Sequence, residues 1–131
     1  MNNIIFIRHA ETEWNLLGLI QGLTDVPICK EGEANACKWK LNLSNYTLWS
    51  SPLQRAVKTA EIVFSRKPKI EKSLIEMNWG DWEGKKLTDL RKKFGEKMLA
   101  NENLGLDMRP KNGETPREVQ NRILNWIKTI E

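Results

Sequence analysis

The sequence predicts a single α/β domain with three layers, α/β/α, in which helices cover both faces of a mostly parallel sheet. Short apolar runs typical of buried strands alternate with segments of helical spacing, an order typical of parallel strands joined by helices. The chain has 131 residues, of which 40% are hydrophobic, which is enough for one core. We therefore assign residues 1–131 to one domain.

The first predicted element is a buried strand over residues 4–7. Arg8 and His9, the single histidine, follow it directly, at the strand exit where α/β proteins place their chemistry. An imidazole there could attack a phosphoryl group, and the neighbouring guanidinium offers fixed charge and paired donors to phosphate oxygens. A lone histidine is more often structural or exposed, so both interpretations stay open on this residue alone.

The sequence between residues 11 and 50 predicts the same alternation of helices and strands. Residues 11–30 read as a loop with one turn of helix, residues 31–43 as a helix and residues 46–50 as a strand. In this order, a helix is expected to follow the second strand along the chain.

That next helix has a local start signal. Ser51 is a candidate N-cap, Pro52 suits the first helical position and Gln54 suits the reciprocal capping position. The helix is predicted to end near Phe64. Its apolar face consists of Leu53, Ala56, Val57, Ala60, Val63 and Phe64.

Arg55 lies off this apolar face, in the first turn of the helix. Free backbone N–H groups and the positive end of the helix dipole favour an anion there. By position alone, a surface arginine is the more common outcome.

Glu76 is the first candidate for an acid. It follows Leu74 and Ile75 and precedes the tryptophan-rich run 78–84. A phosphate ester needs a proton on its leaving oxygen, and a carboxyl group desolvated near an aromatic wall could supply it. Glu83 in the same run competes for the role, and the residue types do not separate the two.

The last segment predicts a helix with a capping box at residues 115–118. Apolar side chains then recur at helical spacing, at Val119, Ile123, Trp126, Ile127 and Ile130. Such a stripe faces a core, so in an alternating chain this helix would lead into another strand.

The charge and the cysteines exclude several protein classes. The net charge of +4 is spread along the chain with glutamates in between, which predicts a solvated surface and no nucleic-acid groove, although it also suits anionic substrates. Cys29 and Cys37 form no CxxC pair and are expected to be free thiols. The N-terminal apolar run is too short for a signal peptide or a membrane span, so we expect a cytoplasmic protein with no membrane partner.

Five blocks of the sequence occur in the order of a known family. They read RHAETEWN at 8–15, QGLTDVPI at 21–28, SSPLQRAVKTA at 50–60, LIEMNWGDWEG at 74–84 and KNGET at 111–115. These blocks resemble the histidine phosphatase superfamily, also called the phosphoglycerate mutase-like family, with Ala10 in place of the usual glycine of its opening signature. The fourth block is most similar to the α-ribazole phosphatase and broad-specificity phosphatase branch.

The resemblance implies phosphoryl transfer from a small phosphomonoester, by a phosphatase or a mutase. His9 would attack phosphorus and Glu76 would protonate the departing oxygen; water or an acceptor hydroxyl would then take the phosphoryl group from phosphohistidine. No metal or cofactor is implied, because arginines and backbone amides supply the charge. The implied phosphate and substrate ligands are Arg8, Asn15 and Arg55, with Gln21 and Gly22 at the mouth of the site.

The family pattern also has a second histidine, in a late Ser/Gly-His-Gly motif after a further strand, whereas His9 is the only histidine here. We therefore expect a truncated domain that lacks the C-terminal strand and helix. Uncovered apolar surface and strand edges predict self-association into a homo-oligomer, a rearranged sheet edge or marginal stability. The alternative function is a catalytically degraded remnant that binds phosphate ligands or a partner.

Overall fold

The computed structural model describes residues 3–130. Within them the helices are α1 (Glu13–Leu17), α2 (Lys30–Ala36), α3 (Gln54–Phe64), α4 (Leu87–Phe94), α5 (Glu96–Glu102) and α6 (Pro116–Ile130). The strands are β1 (Trp49–Ser50) and β2 (Lys69–Ile70). Short 3-10 turns lie at Lys72–Leu74, Gly80–Trp82 and Gly105–Asp107.

The two strands pair in parallel, with Trp49 opposite Lys69 and Ser50 opposite Ile70. Helix α3 joins them and contacts β1. This crossover confirms the predicted α/β class with a parallel sheet. The strand predicted over residues 46–50 is shorter than expected, because only its last two residues pair.

The strand predicted over residues 4–7 is wrong. Residues 3–11 form neither helix nor strand, and the exposed fractions are 39% for Ile4, 60% for Ile5, 65% for Phe6 and 41% for Ile7. A strand needs a neighbour for its backbone N–H and C=O groups, and the β1–β2 pair is not extended by these residues. Hydrophobicity alone therefore did not determine their structure.

The helix predicted over residues 31–43 is also shorter. Helix α2 ends at Ala36, which it buries with Gly32. After Ala36, apolar side chains at Trp39, Leu41 and Leu43 recur at every second residue, a spacing that does not form one helical face. The single helical turn predicted within residues 11–30 is confirmed as α1.

Helix α3 does not use the predicted local cap. Its N-cap is Leu53, with no side-chain cap bond, and Ser51 Oγ accepts only from Leu53 N at 3.3 Å. Instead, the Gln54 backbone N–H donates to Asp25 Oδ1 at 2.8 Å, and Gln54 Nε2 donates to the Asp25 carbonyl oxygen at 2.7 Å. A carboxylate from a distant loop therefore caps α3.

Helix α6 starts as predicted. The Glu118 N–H donates to Thr115 Oγ1 at 3.1 Å and the Thr115 N–H donates to Glu118 Oε2 at 2.8 Å, which confirms the capping box. Trp126 of the apolar stripe is buried, and its ring meets the ring of Trp49 edge to face at a centroid distance of 5.6 Å. The helix thus packs its apolar side near β1.

Candidate active site

His9 lies at the end of the irregular segment and is half-buried. Its Nδ1 is 2.6 Å from the Ala10 carbonyl oxygen. A carbonyl can only accept, so Nδ1 carries the proton of the neutral ring and Nε2 keeps a free lone pair. Burial lowers the pKa of His9, and the charges of Arg55 and Arg8 lower it further, against the Ala10 hydrogen bond and the Glu76 charge that raise it. The ring is therefore held neutral and nucleophilic at Nε2.

Arg55 is buried, with 1% of its surface exposed, so the surface location favoured by its position alone is wrong. Its Nη1 donates to the Thr24 carbonyl oxygen at 2.9 Å and its Nη2 donates to the Gly22 carbonyl oxygen at 2.7 Å. Both partners are neutral, and further donors remain on the same guanidinium. These contacts fix Arg55 without neutralising its charge.

Several of the predicted site residues line one cavity of about 1050 Å³. Arg8, His9, Arg55 and Glu76 all line it. Among the described residues Asn15, Gln21 and Gly22 do not. The cavity wall also includes the exposed side chains of residues 4–7 and the ring of Trp126, so the charged groups share an opening with apolar surface.

One hydroxyl joins the histidine segment to the arginine helix. Thr59 Oγ1 accepts from the Ala10 N–H at 2.9 Å and donates to the Arg55 carbonyl oxygen at 2.6 Å. Thr59 is itself buried. The only sequence signal for this contact is the position of Thr59, one helical turn after Arg55 in the same block.

Asn15 and Gln21 lie around Thr12, which is fully buried. Asn15 Oδ1 accepts from the Thr12 N–H at 2.9 Å and forms the capping box of α1. The Thr12 hydroxyl donates to Gln21 Oε1 at 2.7 Å. Here these two side chains fix the segment that follows His9.

Glu76 is exposed, so the expected desolvation of its carboxyl group is wrong. Its Oε1 accepts from the Met77 N–H at 2.9 Å. Arg122 of α6 fixes the backbone near Glu76, because it donates to the carbonyl oxygens of Glu76 and Ser73. Arg122 also forms a salt bridge with Glu114, with an N–O distance of 2.9 Å. Arg122 had no signal in the sequence, because it lies in α6, outside the five blocks.

Glu83 is occupied by backbone contacts. Its Oε1 accepts from the N–H groups of Leu23 at 2.8 Å and Trp79 at 3.2 Å. Its Oε2 accepts from the N–H group of Thr24 at 3.0 Å and from the Thr24 hydroxyl at 2.6 Å. Four donors therefore engage the Glu83 carboxylate, whereas the Glu76 carboxylate accepts from the Met77 N–H.

Within residues 3–130, no helix is both long enough and apolar enough to cross a bilayer. The same residues place no group of three or more His, Cys, Asp or Glu side chains where it could hold a metal ion.

Comparison with known proteins identifies relatives of this fold and site. The profile of the histidine phosphatase superfamily (branch 1) matches residues 4–131. A phosphoglycerate mutase of Schizosaccharomyces pombe is 32% identical, over 98% of this chain and 66% of that protein. Phosphoserine phosphatase 1 of Hydrogenobacter thermophilus is 30% identical, over 99% of this chain and 64% of that protein.

Solved structures of the same kind of protein also match this chain. The α-ribazole phosphatase of Shigella flexneri superposes with a TM-score of 0.81 at 31% identity, over 95% of this chain and 64% of that one. The match supports the predicted phosphoglycerate mutase-like fold. The chain spans slightly less than two thirds of the length of the curated relatives, 64 to 66%.

Proposed function

We propose, from the premise that the chain belongs to the histidine phosphatase superfamily (branch 1), that it transfers a phosphoryl group from a small phosphomonoester through a phosphohistidine at His9. The observation that carries this proposal is the cavity lined by His9, whose Nδ1 is fixed by the Ala10 carbonyl, and by Arg8 and Arg55, whose charges act on the ring. A neutral imidazole with a free Nε2 beside two guanidinium groups suits attack on a phosphate.

The reaction has two displacements. In the first, the Nε2 lone pair forms a bond to phosphorus while the ester P–O bond breaks, and Glu76 gives its proton to the departing oxygen. In the second, the oxygen of water or of an acceptor hydroxyl bonds to phosphorus and the P–N bond breaks, while the proton released by the attacking oxygen is taken up by the Glu76 carboxylate. The arginines stabilise the charge on the phosphoryl oxygens in both steps.

The acid role of Glu76 predicts a dependence on the leaving group. Glu76→Gln should lower kcat/KM about a hundredfold for an alkyl phosphate, since its poor leaving group needs the proton. With 4-nitrophenyl phosphate the loss should be under about tenfold, because nitrophenolate departs without protonation. Steady-state rates on the two substrates measure this ratio. Glu102→Gln, which removes a carboxylate paired with Arg91 at 2.7 Å, is the matched control, and equal losses on both substrates would remove Glu76 from the role.

The environment of His9 predicts a pH dependence. Its pKa lies below the ordinary value of 6.5, so the ring should stay neutral at lower pH than a free histidine. Protonation removes the Nε2 lone pair, so activity should fall only as the pH drops through this lowered pKa. An NMR titration of the single histidine gives the pKa directly. A value at or above 6.5 would contradict the described environment.

A second candidate function is phosphate binding with little turnover. The exposed apolar side chains of residues 4–7 in the cavity wall favour it, because water in an open site weakens electrostatic stabilisation of a transition state. Tight binding of inorganic phosphate without multiple turnovers of 4-nitrophenyl phosphate would support this candidate over the first.

A further inference from the structure

The loop at residues 22–24 lies between two charged side chains. Its Leu23 and Thr24 N–H groups donate to the Glu83 carboxylate. Its Gly22 and Thr24 carbonyl groups accept from the Arg55 guanidinium. The peptide group between Gly22 and Leu23 thus has an anion at its N–H and a cation at its carbonyl oxygen.

The approach of Glu83 to this loop requires a glycine at position 22. The φ angle of Gly22 is +58°, and a Cβ atom there would lie 2.1 Å from Glu83 Oε1. A side chain would therefore displace the carboxylate as well as strain the backbone. The close approach of Glu83 to Gly22 therefore helps to fix the position of the loop.

We infer that Glu83 is a positioning residue for Arg55: it fixes the carbonyl groups of residues 22–24 at the spacing that the guanidinium needs to face a phosphate. This inference rests on the proposed function, because it assigns Glu83 an effect on the anion-binding group. Glu83 acts only through the loop and touches no substrate.

The indirect arrangement has a physical advantage over a direct ion pair. A carboxylate bonded to Arg55 would occupy its donors and compete with phosphate for its charge. Peptide carbonyls hold the guanidinium while leaving its net charge in place, and the Glu83 carboxylate at the Leu23 N–H strengthens the Gly22 carbonyl of the same peptide as an acceptor. Burial lowers the pKa of Arg55, and the charges of Glu76, Asp25 and Glu83 oppose this shift.

Titration of the full chain with inorganic phosphate tests the inference. Dissociation constants from calorimetry should rise roughly fivefold to fiftyfold in Glu83→Gln, a range typical of coupled neighbours. Glu102→Gln should bind phosphate like the unmodified chain. If Glu83→Gln fails to fold, Thr24→Ala removes one of the four bonds to the carboxylate and should weaken binding in the same direction.

A double-mutant cycle shows whether the effect passes through Arg55. Adding Glu83→Gln to Arg55→Ala should cause no further weakening, whereas additive losses would overturn the inference. In 1H–15N spectra, the Arg55 Nε–H signal, assigned by its loss in Arg55→Ala, should shift on phosphate addition in the unmodified chain and respond less in Glu83→Gln.

Failure of the proposed function gives a different result. If the unmodified chain binds no phosphate, or if Arg55→Ala binds it equally well, the phosphate site is wrong and the inference falls with it. If Arg55→Ala weakens binding and Glu83→Gln does not, the positioning role alone is overturned.

Discussion

Replacing His9 by alanine is expected to abolish turnover of 4-nitrophenyl phosphate, with kcat falling on the order of 10³-fold or more. The reason is that Nε2 of this ring is the attacking atom in our account, and no other histidine exists in the chain. Because the arginines remain, inorganic phosphate should still bind. The paired measurement of rate and phosphate affinity therefore separates loss of the nucleophile from loss of the site.

Glu102→Gln serves again as the control, since that side chain does not line the cavity within the described residues. Turnover by His9→Ala at the rate of the control would mean that another group attacks phosphorus, and the assignment of His9 would have to be abandoned.

The second large effect is expected from Arg55→Ala. This change removes a charged donor from the phosphate site, which typically costs on the order of a hundredfold to a thousandfold in rate. It also removes the donors to the Gly22 and Thr24 carbonyl groups, so the free energy of unfolding should fall by roughly 1–3 kcal/mol. Phosphatase assays and denaturant unfolding measure the two losses separately.

Two further variants sharpen this prediction. Arg55→Lys keeps the charge but lacks the planar fork that reaches both carbonyls, so it should restore part of the stability and less of the activity. Arg66→Ala removes an exposed arginine that stacks on Tyr46 and should leave the rate unchanged. Equal rates for Arg55→Ala and Arg66→Ala would contradict the role of Arg55.

The two predicted helix starts show what a local pattern can and cannot predict. The capping box of α6 was predictable because Thr115 and Glu118 bond to each other. The start of α3 has the same kind of pattern, yet Asp25 caps it from a distant loop. The residues around the start of α3 cannot show that a carboxylate from a remote loop takes the place of Ser51 as the cap.

The candidate site also has features that the sequence predicts and features that it does not. Of the residues that the block order placed in one site, four line one cavity, namely Arg8, His9, Arg55 and Glu76. Asn15, Gln21 and Gly22, which the structure also describes, were placed in the same site and do not line it. The burial of Arg55 and the exposure of Glu76 depend on contacts between distant segments. Glu83 competed with Glu76 on residue type alone, and the bonds of Glu83 to residues 23, 24 and 79 were not visible in the sequence.

Detection of a phosphoryl group on His9 is the decisive experiment for the proposed reaction. The full chain would be mixed rapidly with 4-nitrophenyl phosphate, denatured in alkali, which preserves a P–N bond, and analysed by 31P NMR and peptide mass spectrometry. Our account predicts an acid-labile phosphoryl group on Nε2 of His9 that is absent from His9→Ala. An acid-stable phosphate ester, or a phosphoryl group on any other residue, would contradict it.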